Sequence, residues 1–137
     1  MSIIITGGCS CGAVRYEATA APLVMLKCHC RDCQRVTGGP YVPAVVFPYP
    51  AFRITRGAVQ HHTTEGVRGP NLRGFCAQCG SRLTGAENPE RGIIGVVASS
   101  LDDPSLFKPT IEIWTADAQP WDHLEPTTQK FPQHLAM

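Results

Sequence analysis

Cys28-His29-Cys30-Arg31-Asp32-Cys33-Gln34-Arg35-Val36-Thr37-Gly38-Gly39-Pro40 brings three thiols together and follows them at once with a helical stretch. One residue separates the first two cysteines and two separate the next pair, so a strand end followed by a helix start would aim all three sulfurs at one point. The helix is predicted over 31–37. Asp32 stands near its start and Thr37-Gly38-Gly39-Pro40 supplies an abrupt stop. Cys33 then falls in the first turn, where unpaired amides and partial positive charge favour thiolate over thiol. His29 lies inside the triplet, but on a strand its side chain faces away from those of Cys28 and Cys30, which argues against it as a ligand.

Working outward, Cys9-Ser10-Cys11-Gly12 and Cys76-Ala77-Gln78-Cys79-Gly80 bring the total to seven cysteines. A two-residue gap lets both sulfurs of the second pair reach one ion, and Gly80 allows the tight backbone such a knuckle needs. The one-residue gap of the first pair puts both side chains on one face of a strand. Two pairs can close a four-thiolate site, the usual holder of structural zinc, whereas three thiolates leave one tetrahedral position open. The four are therefore expected to be Cys9, Cys11, Cys76 and Cys79, and the open set Cys28, Cys30 and Cys33. Closing the long loop from Cys11 to Cys76 by metal would favour the folded chain.

Other readings stand beside this one. A disulfide, a redox-active dithiol or a four-thiolate iron centre could use the same four cysteines, and geometry alone does not separate iron from zinc. For the triplet, a fourth ligand from His61, His62, His123 or His134 would close the site. The odd cysteine count, and an opening Met1-Ser2-Ile3-Ile4-Ile5 that lacks the pattern of a secretory leader, favour reduced thiols and a cytoplasmic setting.

With 137 residues the expectation is a single domain spanning 1–137, small enough to profit from metal staples. Its 13 glycines and 12 prolines are spread along the chain, which predicts short strands with irregular connections. Strands are predicted over 13–18, 23–28, 41–47, 51–55, 59–63, 72–76, 93–98 and 110–114, a mainly β domain with one helix. Residues 117–137 carry Pro120, Pro126 and Pro132 and are predicted to wrap irregularly, tacked to the core by Trp121, Leu124, Phe131 and Leu135. A net charge of +1 gives no general attraction to nucleic acid or an anionic membrane. Among the arginines near the cysteines (Arg31, Arg35, Arg68, Arg73 and Arg82), Arg31 and Arg35, together with Tyr41, are candidates for substrate contacts.

Gly8-Cys9-Ser10-Cys11-Gly12-Ala13-Val14-Arg15-Tyr16, the central triplet, and Arg73-Gly74-Phe75-Cys76-Ala77-Gln78-Cys79-Gly80-Ser81 occur here in order. With Val97-Ala98-Ser99-Ser100-Leu101-Asp102-Asp103-Pro104, Pro109, Ile113-Trp114 and Trp121, this pattern resembles the glutathione-dependent formaldehyde-activating enzyme family, which includes centromere protein V. The resemblance implies an Mss4-like fold of short antiparallel sheets around zinc, with a structural ion on Cys9, Cys11, Cys76 and Cys79 and a catalytic ion on Cys28, Cys30 and Cys33. It further implies a carbon-sulfur lyase that makes and breaks S-hydroxymethylglutathione from formaldehyde and glutathione. Two functional expectations follow. One is a zinc enzyme that activates a thiol for reversible addition to a small aldehyde. The other is a zinc-stabilised module that binds glutathione or a protein partner without turnover. A nucleic-acid-binding knuckle ranks last, for want of a basic run.

Overall fold

The computed structural model describes residues 3–66 and 69–134 of the chain. Arg68 and Leu135, both singled out in the sequence, lie outside the described residues. The strands are β1 (Ile5–Gly8), β2 (Arg15–Ala18), β3 (Val24–Cys28), β4 (Val42–Pro48), β5 (Phe52–Arg56), β6 (Gln60–Gly66), β7 (Gly69–Phe75), β8 (Arg82–Asn88), β9 (Ile93–Val97), β10 (Ile111–Ile113) and β11 (Gln129–Lys130). One α-helix, α1 (Arg31–Thr37), follows β3. The architecture is mainly β, as the sequence predicts.

Two sheets form. Antiparallel β1-β2-β5 is one, and β11-β10-β3-β4-β9-β8-β7-β6 is the other. The larger sheet is not wholly antiparallel: β10 runs parallel to β3 and β11 parallel to β10. That departs from the purely antiparallel expectation, and it arises because the chain reaches β10 only after a long crossing from β9.

Period-two alternation decides what each face does. Along β4, Val45 and Phe47 are buried in the core, while Val42, Ala44 and Val46 line an open cleft on the opposite face. The core holds Tyr16 and Ala18 from the small sheet and Val45, Phe47, Leu83, Ile94 and Val96 from the large one, with Ile5, Phe52 and Ile54 packed against them. Tyr16 is 1 % exposed; its hydroxyl donates to Ser100 Oγ at 2.6 Å, and Ser100 Oγ donates to Val97 O at 2.7 Å. The phenol therefore enters the core with its polar end satisfied.

Every strand predicted from the sequence is present, with ends moved by at most three residues. β1, β8 and β11 are additional. The Gly7-Gly8 of β1 looks like a turn, yet a side chain at Gly7 would collide with Tyr16 and the Ser100 carbonyl, so the strand needs glycine there. Of the side chains expected to hold residues after 117, Leu124 and Phe131 are half-buried, whereas Trp121 is 63 % exposed. The backbone amides of Trp114, Thr115 and Ala116 also donate to the carbonyls of Gln133, Phe131 and Pro132, and Thr128 is buried. No helix is long and apolar enough to cross a membrane among the described residues.

Candidate metal centres and the cleft between β3 and β8

The first knuckle leads into β2 and the second leaves β7. Each is a tight turn: Gly12 N donates to Cys9 O at 3.2 Å and Gly80 N to Cys76 O at 2.8 Å. Gly12 and Gly80 have φ of 80° and 81°, the left-handed region that favours glycine. The result places the ligand atoms of Cys9, Cys11, Cys76 and Cys79 all within 4.8 Å of one another. Val14 N donates to Cys9 Sγ at 3.2 Å, and Ser81 Oγ lies 3.2 Å from Cys79 Sγ while accepting from Ser10 N at 3.0 Å. Ser81 thus links the two knuckles. Hydrogen bonding to Ser81 also pulls the Cys79 thiol down to about 5.

The second cluster is built where β3 meets α1. Cys28 ends the strand, Cys30 caps the helix by accepting from Cys33 N at 3.3 Å, and Cys33 sits in the first turn. Their ligand atoms also lie within 4.8 Å of one another. The helix occupies Arg31–Thr37 as predicted and ends at Gly38, whose φ is 72° and whose amide donates to Gln34 O at 2.8 Å. Gln34 pins the turn from beneath: its Nε2 donates to His29 O at 2.6 Å and to Asp117 O at 3.0 Å.

Charge is shared unevenly within the triplet. Hydrogen bonds from Cys28 and Cys33 pull Cys30 down to about 2, and the bond to Cys30 pushes Cys28 up. Cys30 caps the helix and Cys33 lies in its first turn, so the helix start faces two of the three thiols. Arg73, on β7 and 8 % exposed, points both terminal nitrogens at Cys33 Sγ, at 3.7 and 3.8 Å. Burial opposes its charge, yet the Cys33 and Cys30 sulfurs outweigh burial and keep it protonated.

His29 is fully buried and joins neither cluster. Its Nε2 donates to Glu112 Oε1 at 2.8 Å, and its Nδ1 lies 3.5 Å from Asp122 Oδ2. Thr128 Oγ1 donates to the other Glu112 oxygen. Burial would push Glu112 up, but the bonds from Thr128 and His29 hold it below the usual carboxylate range. Among the described residues no histidine ligand atom completes either group. His61 instead faces Glu87 at 3.2 Å, and His134 stacks edge-on against Trp114 at 5.0 Å.

All three cysteines of the triplet open onto one cleft of about 280 Å³. Among the described residues its arginines are Arg73, Arg82 and Arg91; Arg31, Arg35 and Tyr41 do not line it. Arg31 and Arg35 are exposed on the outer side of α1, and the Tyr41 ring lies against His29 and under Lys27.

Residues 4–117 match the glutathione-dependent formaldehyde-activating enzyme family. The chain belongs to this family. A Halomonas elongata protein carrying the family's name is 28 % identical over 88 residues, which are 59 % of this chain and 55 % of that protein. This chain thus spans about half the length of that curated relative. A crystal structure of a Rhodobacter sphaeroides protein is 25 % identical, covers 76 % of this chain and 96 % of its own, and superposes with a TM-score of 0.59. The family match takes in both cysteine clusters, Arg73 and Trp114, but stops short of Thr128 and of β11.

Either cysteine group could hold a metal ion. The donor chemistry fits a soft or borderline divalent ion, since thiolates select zinc or iron over magnesium or calcium. Gln34, Arg73 and Glu112 supply what the spacing of the cysteines does not: they fix the ligand turn and compensate its charge. Tertiary structure brings Arg73 to Cys33 and Glu112 to His29, whereas Gln34 follows Cys33 directly in the sequence and only its bonds to His29 O and Asp117 O are hidden there.

Proposed function

We propose that Cys28, Cys30 and Cys33 hold a zinc ion whose remaining position takes a thiol, and that the protein catalyses reversible addition of that thiol to an aldehyde. Glutathione and formaldehyde are the pair the family's name indicates, which makes the chain a carbon-sulfur lyase in the cleaving direction. One observation carries the reading: three convergent sulfurs face an open cleft with no fourth side-chain ligand among the described residues. A second zinc on Cys9, Cys11, Cys76 and Cys79 is structural, and the reduced thiols belong to a cytoplasmic setting.

Bound at the triplet, zinc supplies a Lewis acid that favours an incoming thiol in its thiolate form. The chain's own residues do the rest. Three thiolates with a divalent ion leave one net negative charge, and the buried Arg73 guanidinium balances it. Thr37 Oγ1, donating to Cys33 O at 2.8 Å, and Gln34 keep the helix start in place. In the addition, the substrate sulfur gives its proton to water in the open cleft and forms a bond to the carbonyl carbon, while the C=O π pair moves to oxygen, which takes that proton back from the water. Cleavage reverses each movement.

Metal analysis should find two zinc ions per chain. Magnetisation-transfer NMR on formaldehyde and glutathione should show exchange accelerated about tenfold or more by zinc-loaded protein and abolished by Cys30→Ser. Equal exchange with both proteins would make this a binding module instead.

A further inference from the structure

The cleft is much larger than formaldehyde requires, and its floor is apolar. Leu26, Ala44 and Val97 stand side by side across β3, β4 and β9, and Val46, Gly95 and Gly85 form the next row across β4, β9 and β8. In that second row, a side-chain atom at Gly85 would meet nothing within 4 Å. Over Gly95 the space is taken by the Gly85 carbonyl and Ala86, which a side-chain atom there would meet at 2.9 and 3.5 Å. The opening over Gly85 continues a shallow trough that runs away from Cys28 across three strand steps, roughly 14 Å at the usual spacing.

The polar groups near the trough are largely engaged. Arg73 is held by Cys33 and by Thr64 Oγ1 at 3.3 Å. Arg82 donates to Val36 O at 3.1 Å and lies over the Phe75 ring. Two residues at the cleft wall, Ala86 and Trp114, have φ of 50° and 58°, the positive-φ non-glycine positions among the described residues. Backbone strain of this kind gathers where a ligand is bound.

We propose that the trough seats an apolar substituent on the aldehyde carbon, so that the preferred substrate is the thiol adduct of a long aliphatic aldehyde and not that of formaldehyde. This rests on the reading of the triplet as an open metal site. The chemistry is RCHO plus R′SH giving RCH(OH)SR′: one S–C bond forms, the C=O π bond opens, and the thiol proton is replaced by one on oxygen. R lies along the trough, with Trp114 at its side.

An alkanethiol carries its chain on the carbon attached to sulfur, the position R occupies in the adduct. Cobalt-loaded protein titrated with ethanethiol, hexanethiol and decanethiol, followed by thiolate-to-cobalt absorption, therefore tests the trough without requiring turnover. Hexanethiol should bind about tenfold or more tighter than ethanethiol, by burial of added methylenes. Ala44→Phe should erase that ratio, and Gly85→Leu should erase the further gain of decanethiol over hexanethiol. Equal affinities for all three thiols, or ratios unmoved by both substitutions, would overturn the proposal. Exchange with glutathione, measured for octanal and formaldehyde, separates the two readings. Chain-length-selective binding without exchange leaves the trough standing and removes the reaction. Exchange that is no faster for octanal than for formaldehyde keeps the reaction and removes the trough's substrate.

Discussion

Arg73 carries a charge that its surroundings would otherwise expel, and it stays ionised because Cys33 and Cys30 lie against it. Replacing it with a neutral chain of similar length should leave the triplet's surplus negative charge unbalanced. Arg73→Met is expected to weaken metal binding there by about 10- to 100-fold, the usual scale for a group behind the ligands. Competition with a chromophoric chelator would measure this, and loss of metal from the four-cysteine group instead would contradict it. Tyr16 carries a different signal. Burial raises its phenol from 10.0 to about 12, so the fold favours the protonated form. That stabilisation is complete below about pH 10 and disappears as pH rises through 12, on the order of 3 kcal/mol in all. Urea midpoints should fall between pH 10 and 12 in the native protein, and fall less in Tyr16→Phe. At this scale the triplet was legible because its grouping depends on near neighbours. Arg73 was not, since it reaches Cys33 only after β7 has been laid into the sheet.

The turn from β3 into α1 depends on His29 and Glu112, both fully buried. Glu112→Ala should strand the His29 ring and Thr128 hydroxyl together and cost about 3–5 kcal/mol of stability. Glu112→Gln, which keeps an acceptor for His29, should recover part of it; equal losses from chemical denaturation would show that the carboxylate oxygens do not brace this turn. The helix itself was readable to the residue, because Asp32 near its start and the Gly38 stop are local signals. β8 was hidden, since Arg82–Asn88 has glycine at its centre and a register shift between Gly85 and Asn88 in its pairing with β9. The parallel pairing of β10 was equally invisible: three residues hold no information about the direction of a partner eighty-odd positions earlier.

Across the whole molecule, the two knuckles meet where the small sheet and the large one come together. Cys9 and Cys11 introduce β2, whereas Cys76 and Cys79 sit between β7 and β8. If that group holds metal, stripping it with a strong chelator should lower the melting temperature by about 10 °C or more, and Cys76→Ser should reproduce the loss. An unchanged melting temperature would mean that the core between the sheets suffices alone. The sequence conveyed this long-range closure well, because chemistry pairs cysteines across any distance in the chain. It conveyed the trough poorly, because a trough is the space left over when small residues such as Ala44 and Gly85 fall on one face of neighbouring rows in the sheet.

The same closure sets a clock. Cys11 leaves the ribosome 68 residues ahead of Cys79, an interval of roughly 3–14 s at ordinary synthesis rates. β1 waits longer still, for Leu101 to bridge Gly7 and for Asp102 to receive Arg15 and Thr6. During that interval a newborn chain presents naked thiols, and under the function proposed above it does so to the very electrophile its finished form would handle.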